Sequence, residues 1–218
     1  MRKLGILGGT FDPIHRGHLA MAAAAQRACR LDQVLFVPAE RPWHRAAPRA
    51  SFPDRYAMVA LALTGRAAWL PLAVPALAQR PTYALDQVAW IAARHPRARL
   101  HFILGADAFA ALPTWWQYRR LLASCDFIVL ARHGVGIADV LAAVPPRLLR
   151  APDRRGADLA GGRRLHWIEA FSSPQSATGA RAALAQRSPK GAEALPAAVR
   201  AFARRAGLYG KTSGQVSA

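Results

Sequence analysis

Residues 3–18, KLGILGGTFDPIHRGH, combine a short apolar run with a glycine turn. The run Lys3–Gly8 has the length and composition of a buried strand. Gly8 and Gly9 allow the backbone to turn tightly and to approach a bound group closely. The alanine-rich stretch Gly17–Arg30 favours a helix, whose unpaired N–H groups would face the turn. The segment therefore predicts a strand–turn–helix unit with an anion-binding end.

Apolar runs of strand length recur along the rest of the chain, and segments with helical spacing separate them. The further predicted strands are Gln33–Pro38, Trp69–Val74, Arg99–Gly105, Cys125–Leu130 and the short Arg164–Glu169. The further predicted helices are Phe52–Thr64, Thr82–His95, Thr178–Gln186 and Pro196–Ala206. This alternation predicts an α/β fold, a Rossmann-like doubly wound parallel sheet of about five to six strands with a small C-terminal helical part.

The expected domain organisation follows from length and local composition. A chain of 218 residues suits one α/β domain, which we place at residues 1–210 with a helical subregion at about 170–210. Residues 211–218 are small and polar, so we expect a disordered tail there. Residues 133–164 contain paired prolines, arginines and glycines, and we predict one helix within a mobile connection.

Composition indicates the class of protein and its compartment. Hydrophobic residues make up 53% of the chain, which excludes a disordered protein. No run approaches the roughly 20 uncharged apolar residues that a membrane helix needs. The stretch Leu4–Thr10 is too short and too glycine-rich for the apolar region of a signal peptide. Cys29 and Cys125 fit a reducing compartment, so we expect a cytoplasmic protein.

The net charge bears on the kind of ligand. It is +18, from 30 Lys and Arg residues against 12 Asp and Glu residues. Such an excess attracts anions, either nucleic acid or small phosphorylated ligands. A GC-rich coding sequence also produces many arginines and alanines, in which case the charge has no functional meaning. The charge therefore supports an anionic ligand without identifying one.

The pair His15-x-Gly17-His18 marks the candidate reactive site. Both imidazoles can face the turn because the small Gly17 lies between them, and their N–H groups can donate to a phosphate. A capping or core role and a metal-binding pair are the alternatives for this spacing. Zinc is not expected, because no cysteine or carboxylate with ligand spacing completes a site. We predict His15 and His18 as catalytic residues at a bound phosphate.

Residues 8–18 resemble the (H/T)xGH signature of the nucleotidylyltransferase superfamily, in the GGTFDPxHxGH form of bacterial nicotinate-nucleotide adenylyltransferases. Residues 175–181, QSATGAR, resemble the family's (I/V)S(S/A)TxIR motif, from which Gln175 and Ala180 depart. Residues 105–107 resemble the family's GxD at the floor of the site. The resemblance implies that ATP is bound by Gly8, Gly9, Thr10, Phe11, His15, Gly17, His18, Gly105, Asp107, Ser176, Thr178 and Arg181.

Three further segments resemble the mononucleotide side of the same family, namely residues 38–45 (PAERPWHR), 81–86 (PTYALD) and 113–118 (PTWWQY). Ala84 and Gln87 stand where the family commonly has threonine, which weakens the expected preference for the acid over the amide substrate. Trp115 matches the family residue that stacks on the pyridine ring. The resemblance implies that the mononucleotide is bound by Asp12, His44, Arg45, Thr82, Tyr83, Ala84, Trp115 and Trp116.

The activity that the resemblance implies is transfer of the adenylyl group of ATP to nicotinate mononucleotide, a step in NAD biosynthesis. It implies Mg²⁺ carried by the ATP phosphates and no metal site formed by the protein. Two alternatives stay open: an adenylyltransferase that prefers nicotinamide mononucleotide, and a basic RNA-binding module. A pantetheine-phosphate adenylyltransferase would be shorter and would lack the Thr114-Trp115 segment. Membrane and nucleic-acid partners are not expected, and the sequence leaves the oligomeric state open.

Overall fold

The computed structural model describes residues 1–42, 47–76, 80–131, 134–169, 171, 173, 175–186 and 193–210. Its strands are β1 Lys3–Gly9, β2 Gln33–Pro38, β3 Trp69–Pro71, β4 Arg99–Gly105, β5 Asp126–Leu130, β6 Leu149–Asp153, β7 Gly156–Leu159 and β8 Arg163–Ile168. Its α-helices are α1 Arg16–Cys29, α2 Phe52–Leu63, α3 Ala84–Arg94, α4 Ala106–Ala110, α5 Tyr118–Ser124, α6 Ile137–Ala142, α7 Ala177–Ala185 and α8 Ala197–Arg205. Short 3₁₀ turns lie at Leu112–Thr114 and Pro146–Leu148.

The strands form one sheet in the order β3-β2-β1-β4-β5-β8-β7-β6. The pairs from β3 to β8 in this order are parallel, whereas β7 pairs antiparallel with both β8 and β6. Strand order reverses between β1 and β4, because the chain proceeds to β3 on one side and to β5 and β8 on the other. This confirms the predicted doubly wound α/β fold. Ligands of such sheets bind at the carboxyl ends of the strands beside the reversal.

The sheet is larger than the five to six strands that the sequence suggested, because a hairpin of β6 and β7 extends it beyond β8. β6 is mostly exposed and so lacks the apolar run that marks a buried strand. Gly156 begins β7 with φ of 136°, and a Cβ there would lie 1.8 Å from the carbonyl oxygen of Leu165. The glycine and arginine pairs of residues 133–164 therefore belong to turns between short edge strands, which the prediction of a helix alone missed.

The boundaries of the other predicted elements agree with the structure to within two residues, except at β3, and the structure adds α4 and α5, which the sequence did not predict. That strand ends at Pro71 instead of Val74. Proline has no N–H to donate to a ladder, and β3 lies at the edge of the sheet, where a proline is tolerated. One further backbone bond, from the Leu72 N–H to the Phe36 carbonyl at 2.9 Å, continues the pairing beyond the strand.

Helices cover both faces of the sheet, so successive strand residues enter two different cores. In β1, Leu4 and Ile6 pack in the core shared with α3 and α5. Leu7 packs in the opposite core, which is shared with α1, α2 and α8. Burial on both faces explains why the central strands are nearly continuous apolar runs instead of alternating sequences.

The described helices are short, and serine hydroxyls cap α2 and α7. The Ser51 hydroxyl caps α2 by accepting a bond from the Asp54 N–H at 3.3 Å, and Pro53 lies in the first turn. The longest helix that the structure describes, α1, has 14 residues. None of the described helices is long and apolar enough to cross a membrane.

Candidate active site

The reversal point between β1 and β4 brings predicted ATP residues from both strands to one edge. Gly8 and Gly9 end β1 beside β2. Gly105 ends β4 and precedes α4, whose second residue is the exposed Asp107. Because β1 and β4 are neighbours in parallel register, these four residues share the carboxyl edge of the sheet. The sequence alone predicted this juxtaposition.

The chain turns sharply after β1, and Phe11 is central to the turn. Phe11 has a φ of 50°, a left-handed conformation that is uncommon for a bulky residue, and it is 2% exposed. Its ring meets the His18 ring edge-on, with centroids 5.0 Å apart. Burial of the Phe11 ring therefore supports the His18 imidazole from the protein interior.

The two imidazoles lie side by side at the start of α1. The rings of His15 and His18 are stacked with centroids 3.8 Å apart. The His15 N–H donates to Nδ1 of His18 at 3.2 Å, so a neutral His18 carries its proton on Nε2. His15 is 5% exposed and His18 is half-buried. The structure thus joins the predicted pair, and His18 offers the larger accessible surface.

Gly17 is required by its surroundings at this turn. A Cβ at that position would lie 2.6 Å from Oγ of Ser173 and 2.9 Å from the His15 ring. Both contacts are shorter than any side chain tolerates. The glycine therefore lets the segment before α7 approach the histidine turn closely.

The second predicted motif, residues 175–181, contacts the first one, residues 8–18, through a hydrogen bond. Arg181 on α7 donates from Nη1 to the Asp12 carbonyl at 2.8 Å, and from Nη2 to Oγ1 of Thr178 at 3.2 Å. Ser176 caps α7 by accepting the Gly179 N–H at 3.1 Å. The arrangement brings a guanidinium, two exposed hydroxyl groups and a helix N-terminus to the same edge as the histidines.

Asp12 was predicted to bind the mononucleotide, but its carboxylate forms hydrogen bonds with other parts of the chain. Its carboxylate accepts the Arg49 N–H at 2.8 Å, the Ala50 N–H at 3.1 Å and the Tyr209 hydroxyl at 2.6 Å. Asp12 is 7% exposed. Burial, followed by the hydrogen bond to Asp12, raises the pKa of Tyr209 far above its usual range. The carboxylate therefore anchors the C-terminal segment and the start of α2 to the turn.

Arg55 is a residue at this edge that the sequence analysis missed. It is 1% exposed and donates to the carbonyl oxygens of Thr10 at 2.8 Å, Ala39 at 2.7 Å and Glu40 at 3.1 Å. These bonds tie the turn after β1 to the segment after β2. Burial lowers the pKa of Arg55. The available signal was its position on the same face of α2 as the buried Met58.

The predicted mononucleotide residues form a second group around the start of α3. Oγ1 of Thr82 accepts the Arg41 N–H at 3.1 Å, which holds the segment after β2 against Thr82. Tyr83 stacks on Trp116 with centroids 4.8 Å apart. Trp115 instead meets Phe102 edge-on at 6.4 Å. Two adjacent tryptophans thus have different neighbours, a distinction that sequence could not make.

The remaining predicted mononucleotide positions are Ala84, His44 and Arg45. Ala84 is the first residue of α3 and follows Tyr83, the helix cap. His44 and Arg45 lie outside the described residues. For these two residues the mononucleotide role stays a prediction.

Side chains of the metal-binding types also come together at the opposite edge of the sheet. Within the described ranges, His101, Asp126 and His166 form the one group of three whose candidate ligand atoms lie within 4.8 Å of one another. Arg99 already donates to both carboxylate oxygens of Asp126, and we assign no metal there. A surface pocket lined by Met1, Arg2, His95, Pro96, Arg97 and Ala98 also lies at this amino edge.

Fold and site together define a class of protein. The parallel sheet, the HxGH turn and the arginine helix that meets it are matched by a family model described as cytidylyltransferase-like over residues 6–182. The chain is therefore a nucleotidyltransferase of that class.

Relatives narrow the class further. A Bordetella petrii protein named "Probable nicotinate-nucleotide adenylyltransferase" is 37% identical over 211 residues, which cover 96% of this chain and 100% of that one. A Gloeobacter violaceus protein with the same name is 46% identical over 135 residues, or 62% of this chain and 66% of that one. The chain belongs to the nicotinate-nucleotide adenylyltransferase family.

A solved structure supports the same fold. Nicotinic acid mononucleotide adenylyltransferase of Plasmodium falciparum, in its complex with NaAD, superposes with a TM-score of 0.73 at 17% identity. The match covers 96% of this chain and 98% of that one. The eight-stranded sheet and its helices are therefore similar in outline to those of a protein of distant sequence.

Proposed function

We propose that this protein transfers the adenylyl group of ATP to nicotinate mononucleotide, forming nicotinate adenine dinucleotide and releasing pyrophosphate in NAD biosynthesis. The observation that carries the proposal is the meeting of the His15–His18 pair with Arg181 at the carboxyl edge. Membership of the family and the NaAD complex of the Plasmodium enzyme support the same substrates.

The reaction needs little covalent chemistry from the protein. A phosphate oxygen of the mononucleotide forms a bond to the α-phosphorus of ATP, and the bond from that phosphorus to the bridging oxygen of pyrophosphate breaks. The nucleophile is already an anion, so no strong base is required. Catalysis then consists of holding the two nucleotides in line and stabilising the negative charge that accumulates.

The histidine pair is suited to the charge on the ATP phosphates. His18 carries its proton on Nε2 when neutral, since its Nδ1 accepts from the His15 backbone. At the start of α1 the His15 and Arg16 N–H groups donate to Nδ1 of His18 and to the Ala194 carbonyl, so the dipole of the helix supplies the positive end at this place. We assign the phosphate contact to His18 first, because His15 is nearly buried.

The residues of α7 are suited to the leaving pyrophosphate. Arg181 uses two N–H groups for Asp12 and Thr178, and a guanidinium has five in a planar fork. Ser176 accepts a backbone N–H as a cap, which leaves its own O–H available as a donor. These groups would hold the departing phosphates as the bond breaks.

The segments around α3 and β4 are suited to the mononucleotide. Trp115 presents a large aromatic ring of the kind that stacks on a pyridine, and Tyr83 precedes backbone N–H groups of the first turn of α3. Thr82 would act by holding the segment after β2 against the start of α3, and Asp12 by holding the residues before α2, given the bonds that occupy their oxygens. Asp107, exposed in the first turn of α4, belongs to the predicted ATP residues and would accept from ribose hydroxyls there.

A divalent metal fits this chemistry, and we propose that Mg²⁺ arrives with ATP. The Asp12 carboxylate, three residues before His15, already accepts two backbone N–H groups and the Tyr209 hydroxyl. Phosphate oxygens and water would therefore supply most of the coordination, as Mg²⁺ commonly prefers. The bound ion would neutralise part of the phosphate charge.

The test is a pyrophosphate-release assay in which the protein receives ATP with nicotinate mononucleotide or with nicotinamide mononucleotide. We expect turnover with the acid substrate and formation of the dinucleotide. Absence of pyrophosphate with both mononucleotides in the presence of Mg²⁺ would refute the proposal. Retention of RNA without ATP turnover would favour the RNA-binding alternative instead.

A further inference from the structure

A buried polar side chain lies beneath the active edge and takes no part in the mechanism above. Gln87 is in the first turn of α3 and is 4% exposed. It lies on the buried face of the helix with Leu85, Val88 and Ile91. A carboxamide among such neighbours needs hydrogen-bond partners, because leaving a buried donor unpaired is unfavourable.

The amide nitrogen of Gln87 lacks such a partner. Nε2 is fully buried and makes no hydrogen bond to any residue that the structure describes. Natural proteins rarely leave such a group unpaired, and exceptions commonly belong to sites that a ligand or water completes. Gln87 therefore indicates a position at which something other than this part of the chain accepts a bond.

The surroundings of the carboxamide place it at the mononucleotide side of the site. Oε1 of Gln87 lies 3.4 Å from the point where a Cβ on Gly8 would be, and the Phe102 ring lies 3.3 Å from the same point. Gly8 is only partly buried, at the end of β1. Phe102 in turn meets Trp115 edge-on. The carboxamide thus lies close to the glycine turn and one aromatic ring away from Trp115.

The carboxamide can present either of its ends to this place. A half-turn about its last side-chain bond exchanges the oxygen and the nitrogen at little cost, since that bond has a broad, twofold preference. The N–H group can therefore reach the position beside Gly8 that Oε1 occupies. A pyridine ring on Trp115 would bring its own polar substituent to the same region.

We infer that Gln87 is a specificity-determining residue, whose side-chain N–H donates to the carboxylate on the pyridine ring of the mononucleotide. This inference rests on the proposed function. A carboxylate suits this donor better than a carboxamide does, because both of its oxygens accept and the bond is charge-assisted. Gln87 lies three residues after Ala84, so it supplies a polar group to the helical turn in which Ala84 has none.

The test replaces Gln87 and compares the two mononucleotides. Gln87→Glu exchanges the donor for an anion, which repels the acid substrate and can accept from the amide substrate. We expect kcat/KM for nicotinate mononucleotide, divided by that for nicotinamide mononucleotide, to fall at least tenfold through KM for the acid. KM for ATP should stay within twofold of the unsubstituted protein. Gln87→Met, which keeps the length and removes the N–H, should lower the same ratio severalfold.

A matched control and a folding check complete the experiment. Gln33→Met alters a glutamine at the amino end of β2, where its side chain accepts from Arg2, and should leave both substrates unaffected. Thermal unfolding followed by circular dichroism shows which variants are folded. If Gln87→Glu does not fold, the ratio measured for Gln87→Met decides.

The outcomes separate the inference from the function on which it rests. If the unsubstituted protein releases no pyrophosphate with either mononucleotide, the proposed function is wrong. If it is active and both folded Gln87 variants keep the acid-to-amide ratio, the inference is wrong, and buried water is the partner of the amide. An equal loss for both substrates, with a raised KM for ATP, would likewise overturn it in favour of a packing role.

Discussion

Each edge of the sheet holds a pair of histidines. The two pairs differ in the elements that carry them, in the distance between their rings and in their neighbouring groups. At the carboxyl edge His15 and His18 lie on a turn and a helix start, with rings stacked at 3.8 Å. At the amino edge His101 and His166 lie on β4 and β8, with ring centroids 6.0 Å apart. The first pair adjoins the N-terminus of α1, whereas the second adjoins the buried carboxylate of Asp126.

At the amino edge, the negative charge of Asp126 is neutralised by side chains of the same protein. Asp126 accepts from Nε and Nη2 of Arg99 and from the Arg164 N–H at 3.0 Å, and Nε2 of His101 lies 3.4 Å away. Burial lowers the pKa of His101, and it lowers the pKa of His166 to about 4. Both imidazoles are therefore neutral at pH 7. A histidine pair becomes a candidate phosphate site through its neighbours, and its spacing in sequence is a weaker guide.

The largest expected difference between the two edges is catalytic. We expect His18→Ala to lower kcat on the order of 100- to 1000-fold, because it removes a donor aimed at developing phosphate charge. Pyrophosphate release at saturating ATP and nicotinate mononucleotide measures the effect. The matched variant His166→Ala should stay within threefold of the unsubstituted protein. Activity of His18→Ala within threefold would show that the assignment of the carboxyl edge is wrong.

For stability we expect the opposite order, with the larger effect at the amino edge of the sheet. Asp126→Ala leaves Arg99 without its carboxylate, and we expect the free energy of unfolding to fall by about 2–3 kcal/mol. This figure is reduced for solvent screening, since the Arg99 side chain is 34% exposed. Urea denaturation measures it. The folded variant should keep its kcat, and a lost kcat at unchanged stability would contradict the separation of the two edges.

A smaller difference in activity is expected when one arginine near each edge is replaced by lysine. Arg181→Lys replaces a planar fork by a single ammonium and should lower kcat/KM for ATP about tenfold. Arg164 bridges Asp153 and Asp158 near the other edge, so Arg164→Lys should change it by less than twofold. Initial rates at varied ATP concentration distinguish the two variants. Equal effects would indicate that Arg181 contributes charge alone.

The smallest effect is the dependence of stability on pH at the amino edge. The pKa of His166 falls from its ordinary value of 6.5 to about 4, first because of burial and then because His101, Arg164 and Arg99 are close, although Asp126 opposes the shift. The unfolded chain thus binds a proton at higher pH than the folded chain does. Stability should decrease as pH falls from 6.5 towards 4.

The variant His166→Gln isolates this contribution. Its midpoint in urea should decrease less between pH 6.5 and pH 4 than that of the unsubstituted protein, because one proton-binding group is gone. Unfolding at several pH values in this window provides the measurement. Parallel curves for the two proteins would show that His166 titrates normally.

Local signals explain which parts of the fold could be predicted. Residues 3–18 contain a complete strand, a glycine turn and a helix start, so the first unit followed from periodicity and turn chemistry. The hairpin of β6 and β7 gave no such signal, because its strands are short and β6 is mostly exposed. Edge strands depend on pairing with a neighbour for their stability, and a single sequence does not show that neighbour.

The candidate site likewise contains residues that sequence motifs identify and residues that only the structure identifies. His15, His18 and Arg181 belong to motifs, and the structure brings both motifs together through the Asp12 carbonyl. Arg55 belongs to no motif, and its importance comes from carbonyl groups of two separate segments, the turn after β1 and the residues after β2. Gln87 likewise became notable only through its burial.

The parallel α/β architecture, the histidine turn and the family resemblance could all be inferred from the amino-acid sequence. Those features depend on residues that are close along the chain, where strand and helix periodicity act directly. Three features emerged from the folded chain: Asp12 anchors Tyr209, Trp115 and Trp116 have different neighbours, and burial lowers the pKa of both His101 and His166. These depend on burial and on distances between remote segments, which packing alone sets.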